Sequence, residues 1–399
     1  MNEIIPLRVL FLTLYPETMP SSRLRVFQYL PYLKEAGIEA RVLPALPEPW
    51  FSRFYFSNSR WTHLVQFGVE AFLGLERILQ GRNYDVVFIQ KGILSTNLRG
   101  LDRLLARSGA PLVFDLDDLM YGRSHTEFRS PLLRWVQDPD QTKKISSQAR
   151  AVIVGNQFLK EEALRYNPNV FMIPTPVDTN RFSPQEKPVR KNSEEIILGW
   201  IGMETTLPYL FPLQEVFFQL SRRFSIRLKL ITRIGRLRHP FEGYPVEITP
   251  WSYETEVREM ADFDIGVMPL PQEQWSEGKC GLKLLQYMAM GLPSVASATG
   301  ANRDILDEGQ DGFLANTPGE WTRKLSLLIE NKELRKKMGE RARSKALENY
   351  SLEKTAQKLI KVLEVVSGRH PEGRRPEGSR SFAYAQDDER KAQDDLNDA

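Results

Sequence analysis

At 399 residues, with 41% hydrophobic and 26% charged positions, the chain holds enough apolar material for two domains with separate cores, which excludes disorder as a whole. Its 54 basic and 51 acidic side chains leave a formal net charge of +3, so overall charge favours neither nucleic acid nor a membrane as partner. Cys280 is the only cysteine, which excludes an intramolecular disulfide framework or a zinc site of several cysteines and suits a reducing, cytoplasmic setting.

The first segment, MNEIIPLRVLFLTLYPE, carries Glu3 and no basic cluster before a short apolar run that Pro16 ends, so LRVLFLT reads as a strand and not as a signal peptide. A helical pattern runs from Ser22 to Ala36, and Pro31 inside it requires a kink or a restart. IEARVL, YDVVFIQ, APLVFDL and RAVIVGN follow as short apolar strands between helical patterns, as in a parallel sheet covered on both faces. EIILGWIG, SIRLKLI, PVEIT, FDIGVMPL and LPSVAS repeat the plan. The predicted fold class is α/β, with two Rossmann-like doubly wound domains.

NPNVFMIPTPVDTNRFSPQEKPVRKNSEE, with four prolines from Pro174 to Pro188, reads as a linker. It predicts domains at 1–183 and 184–366, the last helix packing back on the first domain, and a disordered tail at 367–399 where PEG and AQDD each occur twice. No window reaches the roughly 18 apolar residues that span a bilayer. Residues 47–67, which gather Trp50, Phe51, Phe54, Tyr55, Phe56 and Trp61 around Arg53 and Arg60, suit a peripheral contact with the inner membrane face or a lipid-linked acceptor; an insertion folded on its own core is the alternative.

The chemistry concentrates between Ala261 and Ser297. There a strand ends near Pro269, Gly278 to Gly281 lead into a helix, and Gly291-Leu292-Pro293 ends it. Such a loop at the carboxyl end of a parallel sheet offers backbone N–H groups to a diphosphate. Lys279 and Lys283 fall near the first turn, where a lysine opposes the helix dipole by ~0.3–1 kcal/mol unless an anion sits there. A solvated lysine face is the plainer reading. Asp115, Asp117 and Asp118 close the strand PLVFDL, where carboxylates need cations or ligand hydroxyls to stay ionised; Asp118 as a turn cap is the alternative. In Pro20-Ser21-Ser22-Arg23-Leu24-Arg25, a serine could cap the helix while Arg23, with Arg25 beyond it, meets an acceptor phosphate or the donor diphosphate. His63, His125, His239 and His370 have no metal-like spacing, and no metal or cofactor is expected beyond the donor substrate.

GLKLLQYMAMGLPSVAS resembles the donor-site block of GT-B glycosyltransferases of the large group that includes bacterial lipopolysaccharide and mannosyl transferases. SSRLRVFQYLPYL, VIVGNQFLKEEA, PTPVDTNRF, LGWIGMETTLPYL and DEGQDGFLA resemble further blocks of that family in the same order, over residues 7 to 366. The resemblance implies a nucleotide-diphosphate sugar as donor, a glycan or lipid-linked acceptor, retention at the anomeric carbon, no metal and a cleft that closes between the domains. With it, the donor-binding candidates are Gly202, Thr205, Thr206, Arg233, Trp251, Lys279, Cys280, Gly281, Leu282, Lys283 and Gln286; an ordinary core aromatic is the alternative for Trp251, and an exposed helix-start arginine that for Arg23. It places Asp117 and Asp118 where relatives have a His-Asp pair, so that these two and Lys279 are the catalytic candidates, with Arg23, Arg25 and Asp115 on the acceptor side. By letter, Asp115-Leu116-Asp117 also fits the metal-binding Asp-x-Asp of the unrelated GT-A enzymes.

Two departures stand out. Of the family's two glutamates eight apart, Gly278 replaces the first and Gln286 the second, with Glu277 one residue early; Gln286 can still bond a ribose diol. The family's basic pair is missing from Met203 onward, which leaves Lys279, Lys283 or Arg233 to supply the charge. The rival readings are a nucleotide-sugar 2-epimerase, whose histidine and carboxylate set is not evident, and a non-catalytic nucleotide-sugar or glycan-binding protein of the same fold.

Overall fold

The computed structural model describes residues 6–55, 60–121, 135–187, 194–233 and 241–369. The predicted tail from residue 370, His125, His239 and part of the aromatic segment, 56–59, lie outside them. The chain forms two units, one from the residues up to Pro174 with those from Thr355 onward, the other Thr175–Lys354. The first unit thus ends nine residues before the sequence-based boundary at 183, and the last helix, Leu352–Ser367, joins it from Thr355.

Unit 1 is built on β1 (Leu7–Thr13), β2 (Ile38–Pro44), β3 (Val86–Gln90), β4 (Leu112–Leu116), β5 (Ala151–Val154) and β6 (Val170–Met172). They form one parallel sheet in the order β2-β1-β3-β4-β5-β6. β6 falls in the segment read as linker: its Val-Phe-Met is too short to show a pattern alone and becomes a strand by pairing with β5. The helical stretch after β1 does restart at its proline. It divides into α1 (Pro20–Arg25), a 3₁₀ turn at Phe27–Tyr29 and α2 (Leu30–Glu35), with Pro31 in the first turn of α2, where its missing N–H costs no hydrogen bond. The aromatic segment supplies α3 (Trp50–Tyr55) and α4 (Arg60–Gln80); Phe51 and Phe54 are buried with Leu46, while Trp50 is exposed.

Unit 2 carries β7 (Ile196–Ile201), β8 (Ile226–Thr232), β9 (Val246–Pro250), β10 (Ile265–Met268), β11 (Ser294–Ser297) and β12 (Phe313–Ala315), parallel in the order β12-β11-β10-β7-β8-β9. Alternation along β7 sends Ile197 and Ile201 into one apolar core and Leu198 and Trp200 into another on the opposite face. The α/β reading with two doubly wound sheets therefore holds. Strand order reverses between β1 and β3 in unit 1 and between β7 and β10 in unit 2, and in open parallel sheets ligands bind at the carboxyl ends beside such reversals. Among the described residues, no helix is long and apolar enough to cross a membrane.

Candidate functional site

In unit 2 the reversal is held open by one hydroxyl. Tyr287 Oη accepts from the Ile201 N–H at the end of β7 and donates to the Val267 carbonyl of β10, at 3.3 Å each. The register between these strands runs only through Leu198 with Ile265 and Gly199 with Gly266. Gly266 must be glycine, because a Cβ there would lie 2.4 Å from the Tyr287 ring. Sequence reading passed over Tyr287 because QYMA reads as an apolar helix face.

The loop after β10 enters the helix Leu282–Ala289 through Gly281, whose φ of 70° is left-handed and whose Cβ would meet Ile305 at 2.3 Å. Beyond it, the N–H groups of the first turn have no partner within the helix. Lys283 rises from this turn with its ammonium 5.5 Å from the centre of the Trp200 ring. Gly202, just after β7, is crossed by both side chains: a Cβ there would lie 2.6 Å from Trp200 and 2.7 Å from Lys283 Cε. Lys279 sits over Trp275 at 4.4 Å. Burial, and then the neighbouring Lys279 charge, push the Lys283 ammonium down to about 8. Among the described residues no carboxylate pairs with Lys283.

The other predicted donor residues divide. Arg233 is exposed at the end of β8. Trp251 follows β9, its indole N–H donating to Glu256 at 2.7 Å, and Glu256 is paired with Arg181 at 2.8 Å, which fixes the ring. Gln286 is buried in the second turn of its helix. Cys280 is half-buried, its thiol facing the Gly278 carbonyl at 3.8 Å. Thr205 is exposed, but Thr206 spends its N–H and its hydroxyl proton on the Met203 carbonyl, both at 2.9 Å, because the segment Glu204–Leu213 is a 3₁₀ helix and not an α-helix start. Thr206 therefore does not offer the N–H expected of it. Glu277 accepts from the Gly300 N–H at 3.0 Å and from Arg303, and so braces the neighbouring loop.

In unit 1 the carboxyl ends of β1, β3 and β4 carry a polar network. Arg25 and Asp115 are each at most 2% exposed and bond side by side, Nε to Oδ2 at 3.1 Å and Nη2 to Oδ1. Arg25 also donates to the carbonyls of Ile173 and Pro174. Burial opposes the Arg25 charge, but Asp115 outweighs it and holds the guanidinium ionised. The expectation that this pair meets an acceptor is thus corrected: both are interior, and each satisfies the other. The Asp-x-Asp reading falls with it, because Asp115 gives both oxygens to Arg25.

Asp117 and Asp118 are bound to a residue that sequence reading did not single out. Lys91, directly after β3, lies 3.3 Å from Asp117 Oδ1 and 2.5 Å from Asp118 Oδ2. Burial lowers the tendency of Lys91 to hold its proton, but the two aspartates reverse this and raise it well above the usual lysine range. Ser21 donates to Asp117 at 2.6 Å and accepts from Gln90 at 2.7 Å, and Ser22 donates to Gln90 at 3.0 Å. Neither serine caps α1, whose N-cap is Met19 without a side-chain bond. Arg23 is half-buried on the same helix. The signal for Lys91 was a lysine ending an apolar strand, IQK, beside another strand ending in three aspartates.

Residues 213–331 match the family described as "Glycosyl transferases group 1". The chain is 25% identical over 320 residues, 73% of its length and 74% of the relative's, to an MMP alpha-(1->4)-mannosyltransferase of Mycolicibacterium hassiacum. In structure it is similar to a glycosyltransferase from Rickettsia africae (TM-score 0.63, 16% identity, 90% of this chain and 98% of the other). It is likewise similar to Anabaena Alr3699/HepE in complex with UDP (TM-score 0.59, 16% identity, 90% and 100%). The chain has the GT-B fold of these glycosyltransferase structures. The group 1 segment lies wholly in unit 2, over the loop with Lys279 and Lys283. Over the curated relatives it matches, the chain spans from 25% to 74% of their length.

Proposed function

We propose that this GT-B chain transfers a sugar from a nucleotide-diphosphate sugar to a hydroxyl of a glycan or lipid-linked acceptor, with retention and without a metal. The observation that carries this reading is Lys283, a half-buried lysine beside a glycine-flanked helix start, with no carboxylate partner among the described residues and Lys279 close enough to oppose its charge. A diphosphate at that helix start supplies the missing anion. UDP is the first nucleotide to try, since it is the one bound in the HepE structure.

In the reaction the acceptor oxygen bonds to the anomeric carbon as the bond from that carbon to the diphosphate oxygen breaks, and the acceptor's proton passes to the departing phosphate. Lys279, Lys283 and the N–H groups from Cys280 to Leu282 stabilise the charge on the diphosphate; one such donor typically contributes on the order of 3 kcal/mol, ~100-fold in rate. Asp117 and Asp118, fixed by Lys91, are the groups of unit 1 proposed to orient the acceptor hydroxyl, with Arg23 for any acceptor phosphate. Trp251 is proposed to pack on the base, and Gln286 to bond the ribose.

A second reading, a nucleotide-sugar-binding protein without turnover, draws support from Gly278 at the family's glutamate position and from Glu277 being tied to Gly300 and Arg303. Release of nucleoside diphosphate from a panel of nucleotide sugars, with and without EDTA, separates the two. Release that ignores EDTA and falls about 100-fold in Lys283→Ala supports transfer. Tight binding with no release, glycan and lipid acceptors included, supports the binding protein; release abolished by EDTA would end the metal-free reading.

A further inference from the structure

Two charged side chains of α4 are buried, and both hold the loop that follows β3. Glu70, 1% exposed, accepts from the Ser95 N–H and hydroxyl at 3.0 and 2.5 Å. Arg77, 4% exposed, donates to the carbonyls of Ile93, Thr13 and Leu43 at 2.6, 3.0 and 2.7 Å. Between them, a Cβ on Gly74 would stand 2.7 Å from the Leu94 side chain. The loop therefore runs antiparallel along the helix, with Ser95 on Glu70, Leu94 on Gly74 and Ile93 on Arg77. The Arg77 guanidinium also reaches the carboxyl ends of β1 and β2. One side chain thus joins the ends of three neighbours in the order β2-β1-β3, at the reversal beside which ligands bind.

Two residues before Ile93 stands Lys91, which bonds Asp118 and Asp117. Its left-handed backbone closes a tight turn in which the Gly92 N–H donates to the Gln90 carbonyl at 2.8 Å. A residue with a side chain stays in such a turn only where its surroundings impose it. On one side of the turn lies β3, and on the other the segment gripped by α4. Burying Glu70 and Arg77 costs desolvation that an apolar pair would not. An apolar pair would fill the same space, but it could not fix the directions of the N–H and carbonyl groups in the loop. We propose that Glu70 and Arg77 are positioning residues: by holding residues 93–95 they keep Lys91 in its turn and so aim its ammonium at Asp117 and Asp118. This rests on the reading of those aspartates as the groups that orient the acceptor.

Hydrogen exchange on the full chain tests the first link, and turnover the second. In Glu70→Ala and Arg77→Lys the Lys91 and Gly92 amides should exchange about 10-fold faster, with the β5 amides and the circular dichroism unchanged. Glu70→Gln, whose carbonyl oxygen still accepts from Ser95, should restore the slow rate. Ser95→Ala removes one of the same bonds without altering α4; it should shift the same amides in the same direction, and it stands in if Glu70→Ala does not fold. Release of UDP from UDP-glucose, with water as acceptor, should fall about 10-fold in kcat in the fast-exchanging variants. KM and the calorimetric affinity and stoichiometry for UDP should stay as in the wild type, whereas a loss of folded protein would lower the stoichiometry too. Lys91 and Gly92 amides that stay protected overturn the proposal, and so does fast exchange with unchanged turnover. A wild type that releases no UDP counts against the transferase reading instead, and the exchange rates then decide alone whether Glu70 and Arg77 hold Lys91.

Discussion

Lys91 holds Asp118 at 2.5 Å from a backbone whose φ of 65° is left-handed, the only such non-glycine residue among those described. A side chain normally avoids this region, so the surrounding contacts must fix it there. They are on hand: its N–H donates to the Asp115 carbonyl at 2.9 Å, and its ammonium joins the two neighbouring carboxylates. Backbone and side chain thus tie the end of β3 to the end of β4.

Lys91→Met leaves two mostly buried carboxylates without their cation, and should cost about 3–5 kcal/mol of stability in urea unfolding at neutral pH. Lys91→Asn removes the same charge but accepts a left-handed φ more readily, and should lose less. Equal stability of Lys91→Met and wild type would show that the ammonium contributes nothing net to the fold.

The Lys283 ammonium, pushed down to about 8 by burial and by Lys279, predicts weaker binding of nucleoside diphosphate as pH rises through about 8. The sign for stability is the opposite. Unfolded, the lysine keeps its proton to its ordinary value of 10.5, so between about 8 and 10.5 the unfolded chain binds more protons and stability rises with pH. Calorimetric titration of UDP and urea unfolding across this window check both. Lys283→Arg should remove the alkaline fall in binding, because arginine stays charged throughout; a fall unchanged in that variant would assign it to another group.

Much of the architecture was legible because each strand is a short apolar run set off by prolines, glycines or charges. The placement of Gly281 and Lys283 at a helix start, with Lys279 just before it, was legible too, since a glycine-flanked helix start is a local feature. What escaped is what pairing across the sheet creates. Arg25 and Asp115 are 90 residues apart, and nothing in either segment shows that both point inward. Lys91 and Asp118 meet only because β3 and β4 are neighbours. β6 owes its existence to its partner strand. Thr206 was misplaced for a local reason: Pro208 inside the segment favours a tight 3₁₀ turn that consumes the hydroxyl and N–H.

Gly202→Ala places a methyl within 2.6 to 2.7 Å of Trp200 and Lys283. Trp200 is anchored in the apolar core, so relief falls to the flexible end of Lys283, which must swing away and carry its ammonium with it. Affinity for UDP should drop at least 10-fold, about 1.4 kcal/mol, with a smaller change in the thermal midpoint. Unaltered affinity would mean that Lys283 does not contact the ligand.

Tyr287→Phe tests the hydroxyl that stands between β7 and β10. Removing it keeps the ring over Gly266 and leaves the Ile201 N–H and the Val267 carbonyl without their partner at 3.3 Å. Two outcomes compete. If the strands stay apart, two buried backbone groups lose a bond, and stability falls by about 1–3 kcal/mol. If the strands close and bond directly, stability is nearly kept, but the crevice beside the loop of Lys279 narrows. The crowded ring favours the first outcome, because Tyr287 is fully buried and cannot move aside. Hydrogen exchange at the Ile201 amide decides between them: faster exchange with lower stability supports a hydroxyl that holds the crevice open, whereas unchanged protection with full stability and weaker UDP binding would show that the sheet zips up without it.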